Sequence, residues 1–167
     1  MTEVFWPPSP LPDPDASGGR VGRWRPVRTA DLTSGRLELA ARLHDGARPA
    51  GAQEGAVERL TLAFEELASN ALRHGRAPVE VVVTTLADRS WLLTVSDAAG
   101  DLPPTPAVGR DAALGGLGLY MVAGLADAHG WTRTADGRKT VWARIDFVAG
   151  PGPAGGPGRV PAPRDRR

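Results

Sequence analysis

Glu65-Glu66-Leu67-Ala68-Ser69-Asn70-Ala71-Leu72-Arg73-His74-Gly75 is the stretch on which the reading of this chain turns. Leu67 and Ala71 continue the spacing of Val57, Leu60 and Phe64. Together these residues mark one face of a helix predicted over residues 53–74, with Gly75 placed to end it. Glu66 and Asn70 stand one turn apart on a shared face, at the edge of the apolar stripe. A carboxylate and an amide oxygen stacked this way suit magnesium, which takes hard oxygen ligands and keeps several waters, often shared with phosphates. The same carboxylate could orient or deprotonate an attacking hydroxyl. The ordinary reading of such a pair is a solvated helix edge, and the spacing alone does not choose between them.

Working outward, Asp31 is placed to cap a helix running to about residue 45, with Leu32, Leu37, Leu39, Ala40 and Leu43 as apolar contacts. Residues 20–27 read as a short first strand. Downstream the period changes. Residues 79–86 and 91–96 are rich in β-branched residues, and the four residues between them make a turn, so the pair reads as a hairpin. Residues 101–111 form a proline-containing loop. A third helix is expected over 119–128, entered through Gly115, Gly116 and Gly118. Residues 131–134 and 140–147 read as a closing hairpin that turns at Asp136-Gly137. Helices are too few for a doubly wound parallel sheet. The expected class is α+β, a two-layer sandwich with a mostly antiparallel mixed sheet and helices on one face.

The bulk composition narrows the function classes. The 167 residues fit one domain, and the net charge of +1 makes no electrostatic case for nucleic acid or a membrane surface. There is no cysteine, which removes disulfides, thiolate metal sites and a cysteine nucleophile. No run approaches the roughly 18 apolar residues of a membrane span, and the N-terminus lacks the pattern of a signal peptide. The expected location is therefore cytoplasmic. Lys139 is the only lysine; arginine carries nearly all the positive charge. Residues 1–19, rich in proline, and 149–167, rich in proline, glycine and arginine, are expected to be disordered flanks of a folded block at 20–148.

Three further groups bear on chemistry. Asp97 ends an apolar strand, and its carboxylate is a pure acceptor suited to the exocyclic amino group of adenine; the ordinary alternative is a turn aspartate. In Gly115-Gly116-Leu117-Gly118-Leu119, glycines before a helix let backbone N–H groups approach a phosphate. The spacing is neither that of a dinucleotide-binding fingerprint nor that of a Walker loop, and a plain loop hinge is the alternative. Thr140, after Lys139, opens the last strand and could bond a ligand, or simply begin a strand. His44, His74 and His129 show no metal-ligand spacing.

In order and spacing, Glu66-x-x-x-Asn70, Asp97, Gly116-Leu117-Gly118-Leu119 and Lys139-Thr140 resemble the N box, the two glycine boxes and the closing box of the GHKL (histidine-kinase-like) ATPase superfamily. Within it the chain looks most like the anti-sigma-factor serine/threonine kinases of bacterial partner switching. The resemblance spans about residues 25–147. It implies a Bergerat ATP-binding fold in which Asn70 coordinates magnesium, Glu66 is the catalytic base and Asp97 contacts adenine. It also implies that Gly116, Leu117, Gly118 and Leu119 surround the phosphates, with Thr140 nearby and a lid over about residues 101–113. ATP and magnesium are the implied cofactors. An anti-sigma antagonist and a sigma factor are the implied partners, with homodimerisation expected by the same analogy. One departure stands out. The first glycine box usually reads D-x-G-x-G, and here it is Asp97-Ala98-Ala99-Gly100-Asp101. That departure would also suit a non-catalytic module that sequesters a partner, the alternative to a kinase.

Overall fold

The computed structural model describes residues 6–13, 18–104 and 117–148. Its elements in chain order are β1 (Arg20–Trp24), α1 (Thr29–Arg42), a π-helical turn (Leu43–Ala47), α2 (Glu54–His74), β2 (Glu80–Leu86), β3 (Ser90–Asp97), α3 (Leu117–Leu125), β4 (Ala128–Arg133) and β5 (Lys139–Asp146). The strands form one sheet in the order β1-β2-β3-β5-β4, every neighbouring pair antiparallel. This is the α+β class expected from the sequence, with the helices gathered over one face.

Strand alternation explains that one-sidedness. Trp91, Leu93 and Val95 of β3 point the same way as Val141, Ala143 and Ile145 of β5, and all join the main core. Against them α2 packs Val57, Leu60, Phe64, Leu67 and Ala71, the stripe read from its sequence. Leu60 is fully buried, so its truncation to alanine should cost about 2–5 kcal/mol. On the opposite face only Leu86, Leu92 and Trp142 form a second small cluster.

Several boundaries differ from expectation, each for a local reason. β1 stops at Trp24, because Pro26 has no N–H to give a ladder. α1 begins at Thr29, so Asp31 sits within its first turn rather than at the cap. From there the Asp31 carboxylate accepts the N–H groups of Val27 and Arg28, both at 2.9 Å. Those two backbone bonds hold its carboxyl below the usual range. α3 starts two residues earlier than expected and ends sooner, since Asp127 N–H already bonds Arg144 C=O and the chain enters β4.

Order also reaches further toward the N-terminus than composition suggests. Trp6 is buried, and its indole N–H donates to Gly130 C=O at 3.0 Å. Pro7 to Ser9 then run parallel to β4, bonding Trp131 through both its N–H and its C=O. Ser9 C=O accepts from the Trp142 indole on the far face. Gly130 permits this crossing, as a side chain there would meet Ser9 Cβ at 2.6 Å. The outer edge of β4 is thereby covered. Among the described residues no helix is long and apolar enough to cross a membrane.

Candidate functional site

The border of α2's apolar stripe turns toward α1 and the start of α3, and a cavity of about 270 Å³ opens between the three helices. Glu66, Ser69, Asn70 and Arg73 line it from α2, Thr29 and Thr33 from α1, and Leu117 and Gly118 from α3. Glu66 and Asn70 are half-buried side chains one turn apart, as the sequence reading requires. Gly118 sits directly on Glu66: a methyl added there would lie 2.2 Å from its Oε2. The opening turn of α3, whose first N–H groups have no partner within the helix, is thus held against a carboxylate. Glu65, next along α2, also lines the cavity and pairs with Arg36 at 3.1 Å.

Asp97 lies at the C-terminal end of the same helix but in a different environment. β3 delivers it beneath the α2 cap, where Gly75 leaves room: a side chain at Gly75 would come within 2.6 Å of the Asp97 carboxylate. Asp97 is 1% exposed. Its Oδ1 accepts the N–H of Ala99 at 2.7 Å and that of Arg76 at 3.5 Å. Its Oδ2 faces Lys139 Nζ at 3.4 Å, and the lysine is itself buried. The two residues stand opposite each other in the β3–β5 register.

The segment that follows is clamped from the same side. Ala99 and Gly100 are buried, and a methyl at Gly100 would lie 1.8 Å from the Gly137 carbonyl oxygen. Glycine at 100 is therefore needed for close contact with the β4–β5 turn. Arg133 donates to Gly100 C=O at 2.6 Å, and Arg138 to Pro78 C=O at 2.7 Å. At the rim, Arg76 pairs with Asp101 at 3.1 Å. The Asp101 carboxyl is held below the usual range chiefly by its own backbone N–H; burial opposes this, and the Arg76 and Arg133 charges add to the lowering.

Of the expected site residues, Glu66, Asn70, Leu117 and Gly118 share the cavity. Leu119 is buried in the core, and Thr140 is buried in β5 between Ser96 and Thr132. Neither they nor Asp97 line the cavity among the described residues. Gly116 and most of the expected lid lie outside the described residues. Arg73, Ser69, Thr29 and Thr33 had been given no role. Arg73 was legible, being three residues beyond Asn70 on the same helix face, whereas the α1 threonines depend on how two helices pack.

Among the described residues no three His, Cys, Asp or Glu side chains gather as a metal cage. Glu66 and Asn70 offer one carboxylate and one amide oxygen on a shared cavity. That donor set fits magnesium held mainly by water and phosphate oxygens. The fit is good on the phosphate side. Asp97, expected to contact the base, is buried and already faced by two backbone N–H groups and Lys139.

The family model described as "Histidine kinase-like ATPase domain" matches residues 29–145. Among solved structures, a chain of the SiaB–SiaC complex from Pseudomonas aeruginosa is similar, with a TM-score of 0.50 and 14% sequence identity, covering 76% of this chain and 90% of that one. At that identity the likeness speaks for the fold. No curated protein gives a significant match.

Proposed function

The chain belongs to the histidine kinase-like ATPase domain family, and from that premise we propose that it is an ATP-binding regulator that phosphorylates a partner protein on serine or threonine. The observation that supports this most is the convergence of Glu66, Asn70 and Gly118 on one cavity. In this reading the acceptor hydroxyl attacks the γ-phosphorus, the bond to the bridging oxygen breaks, and ADP leaves. Glu66 takes the hydroxyl proton. Asn70 presents its amide oxygen to magnesium, which when bound neutralises phosphate charge. The first N–H groups of α3 and the Arg73 side chain, which border the same cavity, would hold the phosphates. Such transfer depends on positioning and charge stabilisation more than on covalent chemistry by the protein.

The substrate in this proposal is a small anti-sigma antagonist, with a sigma factor as the alternate partner. Support for protein partners comes from the sequence resemblance and from the similar chain having been solved in a two-protein complex. Calorimetry with Mg-ATP, Mg-ADP and Mg-GTP tests the site: adenine nucleotides should bind and GTP should not. Absence of binding at millimolar concentration would end the kinase reading. Glu66→Ala should lower transfer by about 10²–10⁴-fold while sparing ATP binding; full transfer by that variant would remove Glu66 from the mechanism.

The buried Lys139–Asp97 pair favours a second reading, a binding module that sequesters its partner without chemistry. Its Asp97 would then be purely structural. Partner capture unaffected by Glu66→Ala and by nucleotide would decide for this reading.

A further inference from the structure

The geometry points to Lys139 as a gate on the base-binding end of the cleft. This inference rests on the nucleotide reading above and adds a regulatory device to the same site. For Asp97 to accept the amino group of a purine, it needs a free lone pair that a ligand can reach. In the structure the carboxylate is 1% exposed, so whatever acceptor capacity it keeps is out of a ligand's reach. Ala99 and Arg76 N–H groups occupy Oδ1, the Lys139 ammonium lies 3.4 Å from Oδ2, and both side chains are at most 5% exposed. Moving Lys139 aside would open Oδ2, the oxygen that no backbone N–H holds.

The lysine does not act alone. It opens β5 immediately after the Asp136-Gly137 turn, whose tip is exposed. The same hairpin is tied across the base end by Arg133 on Gly100 C=O and by Arg138 on Pro78 C=O. Lys139, Arg133 and Arg138 thus close one clamp. Its release frees Asp97, and its closure leaves Asp97 neutralised and dry. A protein whose competent state is a minor fraction binds more weakly by that fraction. The clamp thereby sets nucleotide affinity, and any partner that pulls on the β4–β5 turn would change it.

The chain offers a direct probe, because Lys139 is its single lysine. Nitrogen-15 labelling of lysine gives one side-chain ammonium signal, which reports on the intact wild-type protein. Mg-ADP should shift this signal, whereas inorganic triphosphate, which lacks a base, should leave it in place. Lys139→Met should tighten Mg-ADP binding by about tenfold or more. If Mg-ADP binds and the lysine signal does not move, the gate is wrong and the nucleotide reading stands. If the wild type does not bind but Lys139→Met does, the gate holds and is tightly shut. If neither protein binds adenine nucleotide, both the gate and the nucleotide reading fall.

Discussion

Glu66 and Asp97 are both carboxylates that the sequence offers as ligand contacts, yet they live under opposite conditions. Glu66 is half-buried on a cavity of about 270 Å³, with a helix start laid against it. Asp97 is 1% exposed and faces a buried lysine and two backbone N–H groups. The first has capacity left for a ligand. The second is satisfied by the protein itself. A family motif therefore states which residue type stands at a position, and the surroundings decide whether that residue is free to act. In the proposed reading the phosphate end of the cleft, at Glu66, is open, and the base end, at Asp97, is closed by contacts internal to the fold.

That contrast breaks most readily at Asp97. Asp97→Ala would leave the Lys139 ammonium buried without its partner, which should lower the unfolding free energy by about 3–5 kcal/mol. Glu66→Gln should change it by no more than about 0.5 kcal/mol, since a solvated cavity wall tolerates the exchange. Denaturant unfolding of both variants checks the difference. A cost under about 1 kcal/mol for Asp97→Ala would mean that water reaches the pair, and the distinction between the two ends would dissolve. Replacing both partners, Asp97→Leu with Lys139→Met, should recover most of the lost stability, because no uncompensated charge remains.

The two close-approach glycines carry the comparison to the backbone. At Gly100 the obstacle to a methyl group is the Gly137 carbonyl, which belongs to the main chain and cannot swing away. Gly100→Ala should therefore cost about 1–3 kcal/mol, read as a lower melting temperature. At Gly118 the obstacle is the carboxylate end of Glu66, which can rotate aside. Gly118→Ala should keep stability within about 1 kcal/mol but move the proposed base, lowering phosphotransfer by about 10²-fold. Equal stability losses at the two glycines would show that the α3 end is packed as tightly as the hairpin clamp.

Much of this was legible because it is local. The α2 stripe and the Glu66–Asn70 spacing are set by helical period, and the glycine run at 115–118 is read within four residues. What escaped is non-local. Lys139 was visible as the only lysine and, with Thr140, as the closing box, but no partner could be named for it. Its partner follows from the β3–β5 register, set by pairing of residues some forty positions apart. Residues 6–9 read as a proline-rich flank, and only the docking of Trp6 beneath Gly130 orders them. Ala99, standing where the first glycine box usually has glycine, is buried, and Gly100 supplies the close approach one position later.

An exposed ion pair supplies the control for the buried one. Glu80 of β2 accepts from Arg23 at 2.6 Å and from Arg25 at 3.2 Å, near the surface. Partial burial pushes its carboxyl up, but the two arginines outweigh it and hold the pKa below the ordinary value. Because the folded-state pKa lies below the ordinary glutamate value of about 4.3, these pairs stabilise fully above that pH. Their contribution is lost as the pH falls through the acid range below it. Glu80→Gln should thus cost only about 0.2–1 kcal/mol at neutral pH. The difference from wild type should shrink toward zero in acid, and also in 1 M salt, where the screening length is about 3 Å. The stability that Asp97 supports should survive the same salt, since ions do not enter a dry contact. If high salt erased both contributions alike, burial would not be what separates Asp97 from an ordinary surface carboxylate, and the closed base end would have to be explained by the backbone contacts of Gly100 alone.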